Sequence, residues 1–411
     1  MNIASFIARR IAFNQQKSFS RFIIRLSIAA TVISVAVMIV TLSFVNGFQD
    51  TVSQKVFSFW GHLRIAYRQP SKASIAEEEP IRANDSLAGV IRKLPEVQSV
   101  HPFATKYAIL KTEAEMEGVL LKGLDSAYDF SHLEQFKTEG RWIRFNDSSY
   151  AREIVISTFT ARQLQLKLND RILIYFIRPD GTLRPDKLTI VGIYKTGIEE
   201  YDKTFAIGDI KLIRRLNGWD ETDIGGYEVF LDDYRKMDSL STGIYEQADF
   251  PPLWETRTIR EIYPNIFDWL HVISTNSTVL LTIMIIIAVI NLITCLIILV
   301  LERLRMVGIL KALGATNWTV QRVFLFHSAI ITVTGIIAGV LFALLLLWLQ
   351  METGFVRLPE DAYYMDRASV KILWWQVGAV ALGTLIISLL VLLIPSFIVR
   401  KVQPVKAIHF R

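Results

Sequence analysis

The chain carries one cysteine, Cys295, so no disulfide can form within it and every domain has to stand on its own packing. Recognisable catalytic patterns are missing as well. There is no Gly-x-x-x-x-Gly-Lys-Ser/Thr loop to cradle a phosphate, no His-Glu-x-x-His pair to hold zinc, no Gly-x-Ser-x-Gly elbow and no Gly-x-Gly-x-x-Gly turn. The histidines His62, His101, His132, His271, His327 and His409 are scattered without ligand spacing, so no metal site is expected. The acid pairs Glu199/Glu200 and Asp232/Asp233 suit solvated turns better than catalytic dyads. Nothing anchors an enzyme reading.

Charge is absent from four long stretches: Leu26 to Gln49, Val272 to Leu301, Val323 to Met351 and Ile372 to Val399 contain no Asp, Glu, Lys or Arg. At about 1.5 Å of rise per residue, each is long enough for a bilayer core of about 30 Å. Core helices of a soluble protein would keep a polar face, and these have none. A cleaved signal peptide is excluded for the first, because its apolar run far exceeds the usual ~7–15 residues and Ser43-Phe44-Val45-Asn46-Gly47 offers no small-residue cleavage site.

Basic residues set the orientation. Arg9, Arg10, Lys17, Arg21 and Arg25 precede the first stretch without an acid; Arg400, Lys401, Lys406 and Arg411 follow the last. Between the second and third stand Arg303, Arg305, Lys311 and Arg322 against Glu302. These segments hold more positive charge than the whole chain, whose net charge is +6, so the remainder is acidic and a nucleic-acid partner is not implied. Both termini and the 302–322 loop are expected inside the cell.

The expected fold is four transmembrane helices plus a large extracytoplasmic α+β domain. The map is a cytoplasmic segment 1–21, spans 22–49, 272–301, 323–351 and 372–399, an outer domain 50–271, an inner loop 302–322, an outer loop 352–371 and a cytoplasmic tail 400–411. Ile3, Phe6, Ile7 and Ile11 fall near one helical face beside Arg9 and Arg10, which suits an interfacial helix or a frayed basic tail. In the outer domain, strands are expected at 98–110, 117–123, 153–157, 171–177, 187–194 and 226–231, with helices at 86–93, 158–166 and 209–216. A helical pattern from Ile259 to Leu270 runs towards the second span. In the inner loop, Gly314 suits a helix C-cap and Thr316 or Asn317 an N-cap.

The stretch Glu302-Arg303-Leu304-Arg305-Met306-Val307-Gly308-Ile309-Leu310-Lys311-Ala312-Leu313-Gly314-Ala315 resembles the coupling segment of the permeases that include the macrolide exporters and the cell-division permease. Met306 and Val307 stand where Glu-Ile is common there, which removes one acidic contact. Four further stretches resemble the lipoprotein-releasing permeases: Leu42 to Phe48, Asn291 to Leu296, Leu358 to Tyr364, and Pro395-Ser396 with Pro404 to Ile408. Gly192 to Asp202 fits as well, and the likeness runs in order over nearly the whole chain.

That resemblance implies a porter-like part and a smaller β-rich part in the outer domain. It also implies an inner-membrane ABC transporter: a second permease chain, identical or sister, two ATPase subunits that bind ATP and Mg, lipoprotein cargo and a soluble periplasmic carrier. No cofactor is implied in this chain. ATPase coupling is expected at Glu302, Arg305, Gly308, Lys311, Leu313 and Gly314, with Gly308 and Ala312 giving close approach. A cargo cavity near the outer leaflet would use Val40, Phe44, Val45 and Phe48, followed by Phe57 and Phe59, together with Ile273, Val279 and Ile283. Arg178, Pro179, Leu183 and Arg184 form either a carrier-docking turn or a plain hairpin. Another efflux permease, or a non-transporting mechanotransmission protein acting on a cell-wall hydrolase, shares the architecture. Division-type members have a much smaller outer domain, and macrolide exporters carry a fused ATPase.

Overall fold

The computed structural model describes residues 18–69, 77–178, 181–302 and 304–396, so the expected interfacial helix and the basic tail lie outside the described residues. These fall into two compact units. The membrane unit takes the chain up to Asp50, Leu270–Arg357 and the part from Arg367 onward; the α+β unit takes Thr51–Trp269 with Leu358–Asp366. Among the described residues four helices are long and apolar enough to cross a membrane.

The first runs Ser18–Trp60, well past the end expected at Gln49. Its last turns continue because Val52, Val56, Phe57, Phe59 and Trp60 recur at helical spacing and are buried in the α+β unit. Gly61 ends it at φ +72, donating its N–H to Phe57 O at 2.7 Å, the left-handed stop that glycine adopts without strain. The second membrane helix does not begin in the 259–270 pattern as one piece. A capping box between Thr258 and Glu261 opens a single turn, Ile259–Ile262. Tyr263 then leaves helical geometry, and Pro264 starts the long helix Pro264–Glu302. Proline disfavours helix in the residue before it and has no N–H to donate, so it fits only the first turn. The third helix, Asn317–Thr353, is capped by Thr316 and stopped by Gly354; the fourth is Trp374–Ser396.

Small residues let the first and third helices touch. A Cβ on Gly335 would stand 2.8 Å from the Thr31 side chain, and one on Gly339 2.9 Å from Val32 O, with Ala343 buried a turn further on. Around this seam Val35, Met38, Ile39 and Leu347 form an apolar cluster bordered by Leu281, Met284 and Val380.

Twelve strands are described in the α+β unit: β1 (Leu63–Tyr67), β2 (Ile81–Arg82), β3 (Val97–Lys111), β4 (Met116–Leu124), β5 (Lys137–Gly140), β6 (Glu153–Ser157), β7 (Arg171–Ile177), β8 (Leu183–Tyr194), β9 (Phe205–Asp209), β10 (Asp223–Ile224), β11 (Gly226–Leu231) and β12 (Trp254–Thr258). Ten belong to one mixed sheet, in which β4 and β9, and β6 and β8, run parallel. The long strand β3 serves two neighbours on one edge: Val97 to Phe103 pair with β11, and Ala108 to Lys111 with β7. Because β7 also pairs with β8, the strands β3, β4, β9, β6, β8 and β7 close on themselves as a small barrel. Ile172, Ile174 and Phe176 alternate as its buried residues. The other half of β3 joins β11, β1 and β12 in an open part, on which the helices Asp85–Arg92 and Met237–Tyr245 pack.

At the centre of the α+β unit lies an ion pair with no exposure at either side chain, Lys122 with Glu228 at 2.8 Å. Lys122 Nζ also donates to Phe59 O in the last turn of the first helix and sits 4.4 Å from the Trp60 ring. A cation at that end complements the helix dipole. Burial pushes the ammonium down and the Glu228 carboxyl up from their ordinary values, and the attraction between them opposes both shifts. Beside it Arg64 pairs with Glu78 and lies 4.4 Å over Phe103, while Glu78 accepts from Thr105 N and Oγ1 at 3.0 and 2.6 Å.

Leaving one member of a buried pair alone costs roughly 3–5 kcal/mol, whereas replacing both with apolar groups is often neutral. Lys122→Met should therefore lower the thermal unfolding temperature of the α+β unit sharply, and Lys122→Met/Glu228→Leu should recover most of the loss. Equal losses in the single and double variants, followed by tryptophan fluorescence of the full chain in detergent, would contradict the pairing.

Candidate functional site

Leu304–Ala312 forms a short helix after the second membrane helix, with residue 303 outside the described set. Gly314 ends the segment at φ +89, and Ala315 N donates to Leu310 O at 2.9 Å. Thr316 Oγ1 then accepts from Thr319 N at 3.2 Å, so Thr316, not Asn317, caps the third helix. Val307 is fully buried with Val320, Phe324, Leu292 and Ile331. Gly308 is buried too, which corrects the expectation that it gives a partner close approach: it faces its own bundle. The outward edge is Ile309, 54% exposed, with Ala312 and Leu313, the latter 80% exposed. Lys311 is half-buried; the side chains of Glu302 and Arg305 lie outside the described set. This is an apolar edge standing free on a helix that is anchored from behind.

The expected cargo residues do not come together. Val40 and Phe44 pack at the border of the first and third helix seam, Phe48 is buried and Val45 half-buried. Val279 and Ile283 lie on an exposed stripe of the second helix with Val272, Ile286 and Ile290, and Ile273 is half-buried. Phe57 and Phe59 are core residues: Phe59 packs against Trp60, Tyr201 and Phe205, and Phe57 stacks on His62, so neither is available to cargo. The apolar cavity of the membrane unit, about 270 Å³, is lined instead by Met38 and Leu42, Leu281 and Ile285, and Ala379 and Gly383. All of these sit in uniformly apolar runs, which is why sequence could not separate one face from another.

Polar residues tie the ends of the membrane helices. Asn46 donates to Gln376 at 2.5 Å, Gln49 to Leu270 O at 3.1 Å, and Lys371 pairs with Asp50. A Cβ on Gly47 would meet Ser369 O at 2.3 Å, so the Asn-Gly pair lets the chain before the fourth helix cross the first. In the α+β unit, the Asp202 carboxylate accepts from Thr196 N, Thr196 Oγ1 and Gly197 N, closing the 192–202 motif into a tight turn. The 358–366 loop locks onto that turn through Glu360 with Lys195, and Lys55 donates to Tyr364 O at 2.7 Å. The two motifs are thus one structural joint.

Between β7 and β8 pairing persists to Ile177 and Leu183, and Arg178 N donates to Thr182 O at 2.9 Å. Leu183 is 56% exposed, and Arg178 and Arg184 are half-buried; Pro179 lies outside the described residues. A hairpin connection thus carries Arg178, Leu183 and Arg184.

The MacB-like periplasmic core domain model matches residues 26–233, and the FtsX-like permease C-terminal model matches residues 278–404. Curated relatives extend this over the whole chain. The lipoprotein-releasing system transmembrane protein LolC of Neisseria meningitidis serogroup B is 23% identical over 421 residues, covering 98% of this chain and 97% of its own. The chain belongs to the lipoprotein-releasing permease family. LolE of Haemophilus influenzae is 22% identical over 426 residues, covering 99% of each chain. Among solved structures, the periplasmic region of MacB from Actinobacillus actinomycetemcomitans gives a TM-score of 0.33 at 15% identity, covering 50% of this chain and 91% of its own. As a member, the chain is an ABC permease, a multi-pass inner-membrane protein whose large α+β unit is a periplasmic domain.

Gly47 gives the permease a direct test of its helix packing. Gly47→Leu should cost about 1–3 kcal/mol through overpacking against Ser369, lowering the unfolding temperature. Gly378→Leu, where a Cβ meets nothing within 4 Å, should not. Equal stability of the two variants would refute the close crossing.

Proposed function

We propose that this chain is the permease subunit of an ABC transporter that takes lipoproteins out of the inner membrane and passes them to a periplasmic carrier. The observation that carries the reading is the near full-length likeness to LolC and LolE, with the coupling motif on an anchored helix. Free energy for the step comes from a separate ATPase pair that binds ATP and Mg. Each acyl methylene taken out of the bilayer costs about 0.8 kcal/mol, so several chains need such a drive. Ile309, Ala312 and Leu313 form the docking edge, with Lys311 and Gly314 beside it and Glu302 and Arg305 at its start. A second permease chain, identical or sister, completes the core, and the exposed stripe with Val279 and Ile283 faces that chain or the cargo. The positive segments support a cytoplasmic side for both termini and this helix. Arg178, Pro179, Leu183 and Arg184 offer the carrier a small turn with the exposed Leu183 at the start of β8.

Purified alone, the chain should hydrolyse ATP only at background, and activity should require the partner ATPase. Ile309→Asp/Leu313→Asp should reduce co-purification of that ATPase at least about tenfold, since charge at a desolvated apolar contact costs more than ~1.4 kcal/mol. Undiminished co-purification and release would show that this edge does not dock the ATPase.

A further inference from the structure

Three of the histidines that sequence left without a role meet around one ring. His132 stacks on Phe230 with centroids 4.1 Å apart, His101 lies 5.9 Å from the same ring and His62 6.5 Å. His62 stands at a joint. Its backbone N–H donates to Val229 O at 2.8 Å, its carbonyl accepts from Ile259 N at 3.0 Å, and its ring stacks on Phe57 at 4.4 Å in the last turns of the first helix. Its Nδ1 accepts from Leu231 N at 3.0 Å.

That last bond fixes the chemistry. A neutral imidazole that accepts at Nδ1 carries its proton on Nε2, so an added proton has to enter at Nδ1. There it meets the Leu231 N–H, and two donors face each other. His101 and His132 are equally unready for charge: His101 is 7% exposed, and the Nε2 atoms of both are buried without a hydrogen-bond partner among the described residues. The charged groups facing the cluster are Lys122 on β4 with its partner Glu228, which stands opposite His101 across the β11–β3 ladder, Arg92 on the Asp85–Arg92 helix, and Asp129 before the 3-10 turn Phe130–His132. Tyr128 packs on His101 at 4.9 Å and adds no charge. Glu228 is held by Lys122, and the carboxylate of Asp129 stands 4.0 Å from His132 Nε2, beyond hydrogen-bond reach.

We propose that His62, His101 and His132 form an acid-released clamp in the periplasmic domain, closed on Phe230 while neutral and opened by protonation at His62 Nδ1. Opening frees the end of β11 from the joint that follows the first membrane helix. Burial holds His62 and His101 down to about 4, from an ordinary value of 6.5, and lowers His132 as well. The opened form takes up protons at the ordinary value and the closed form does not. The clamp's contribution to stability is therefore fully present above about pH 6.5 and is lost as pH falls towards 4.

Hydrogen exchange of the full chain in detergent, corrected for the intrinsic pH effect, reads the opening at the segment that contains Phe230 and Leu231. Between pH 6.5 and 5 the opening constant should rise at least about tenfold per pH unit, one factor of ten for each histidine protonated only when open. His62→Gln, whose amide oxygen can still accept from Leu231 N, should lower that slope by about one factor of ten per unit. His132→Phe, which keeps the stack on Phe230, should also flatten it. A flat wild-type profile overturns the proposal whatever the variants do, as does an unchanged slope in a folded His62→Gln protein.

Discussion

One buried ion pair organises the periplasmic domain. Lys122 and Glu228 sit on strands that flank β3, and the ammonium reaches Phe59 O in the last turn of the Ser18–Trp60 helix. Aromatic rings from Phe59, Trp60 and Tyr128 surround it, so water is excluded and a lone charge there would be costly. The helix end, β4 and β11 are thereby fixed in one register. β3 between them then serves both the closed barrel and the open part of the sheet. A buried pair adds little net stability against apolar side chains of similar size. What it supplies here is a single geometry for the helix end, because shifting that end by one residue would take Phe59 O away from the buried ammonium.

In the membrane unit apolar matter is everywhere, so burial of apolar surface does not choose neighbours. Close backbone approach does, through Gly335 and Gly339 against Thr31, Val32 and Val35, and polar groups at the helix ends add Asn46 with Gln376 and Lys371 with Asp50. The short helix after the second span follows the same logic in reverse. Val307 and Gly308 are taken up by its own bundle, which holds it still, while Ile309 and Leu313 are left outward. The result is an edge that is anchored behind and apolar in front.

Much of this was legible from sequence where one physical signal dominates. The charge-free runs announced the membrane helices, and alternating or β-branched runs put β6, β7 and β11 at their expected bounds. The polar strand Trp254–Thr258 and the helix Met237–Tyr245 went unseen because neither carries a clear apolar period. The run-on of the first helix to Trp60 was hidden because its final turns pack on a globular core while the earlier ones pack among apolar helices. Gly308 was misread, since a small residue serves equally well to admit a partner or a neighbouring helix. Lys122, Glu228 and the three histidines gave no signal, because what joins them is contact between strands far apart in sequence. The one hint was Lys122 within the apolar run Val119 to Leu124.

The central claim is that this chain is the permease of a lipoprotein-releasing transporter, and reconstituted release tests it most directly. The chain, its candidate partner permease and the candidate ATPase would be placed in liposomes with a labelled triacylated lipoprotein, with soluble carrier outside. The account predicts transfer of lipoprotein to the carrier that requires ATP and is lost when this chain is omitted. Complete, ATP-hydrolysing complexes that leave every lipoprotein in the bilayer would contradict it.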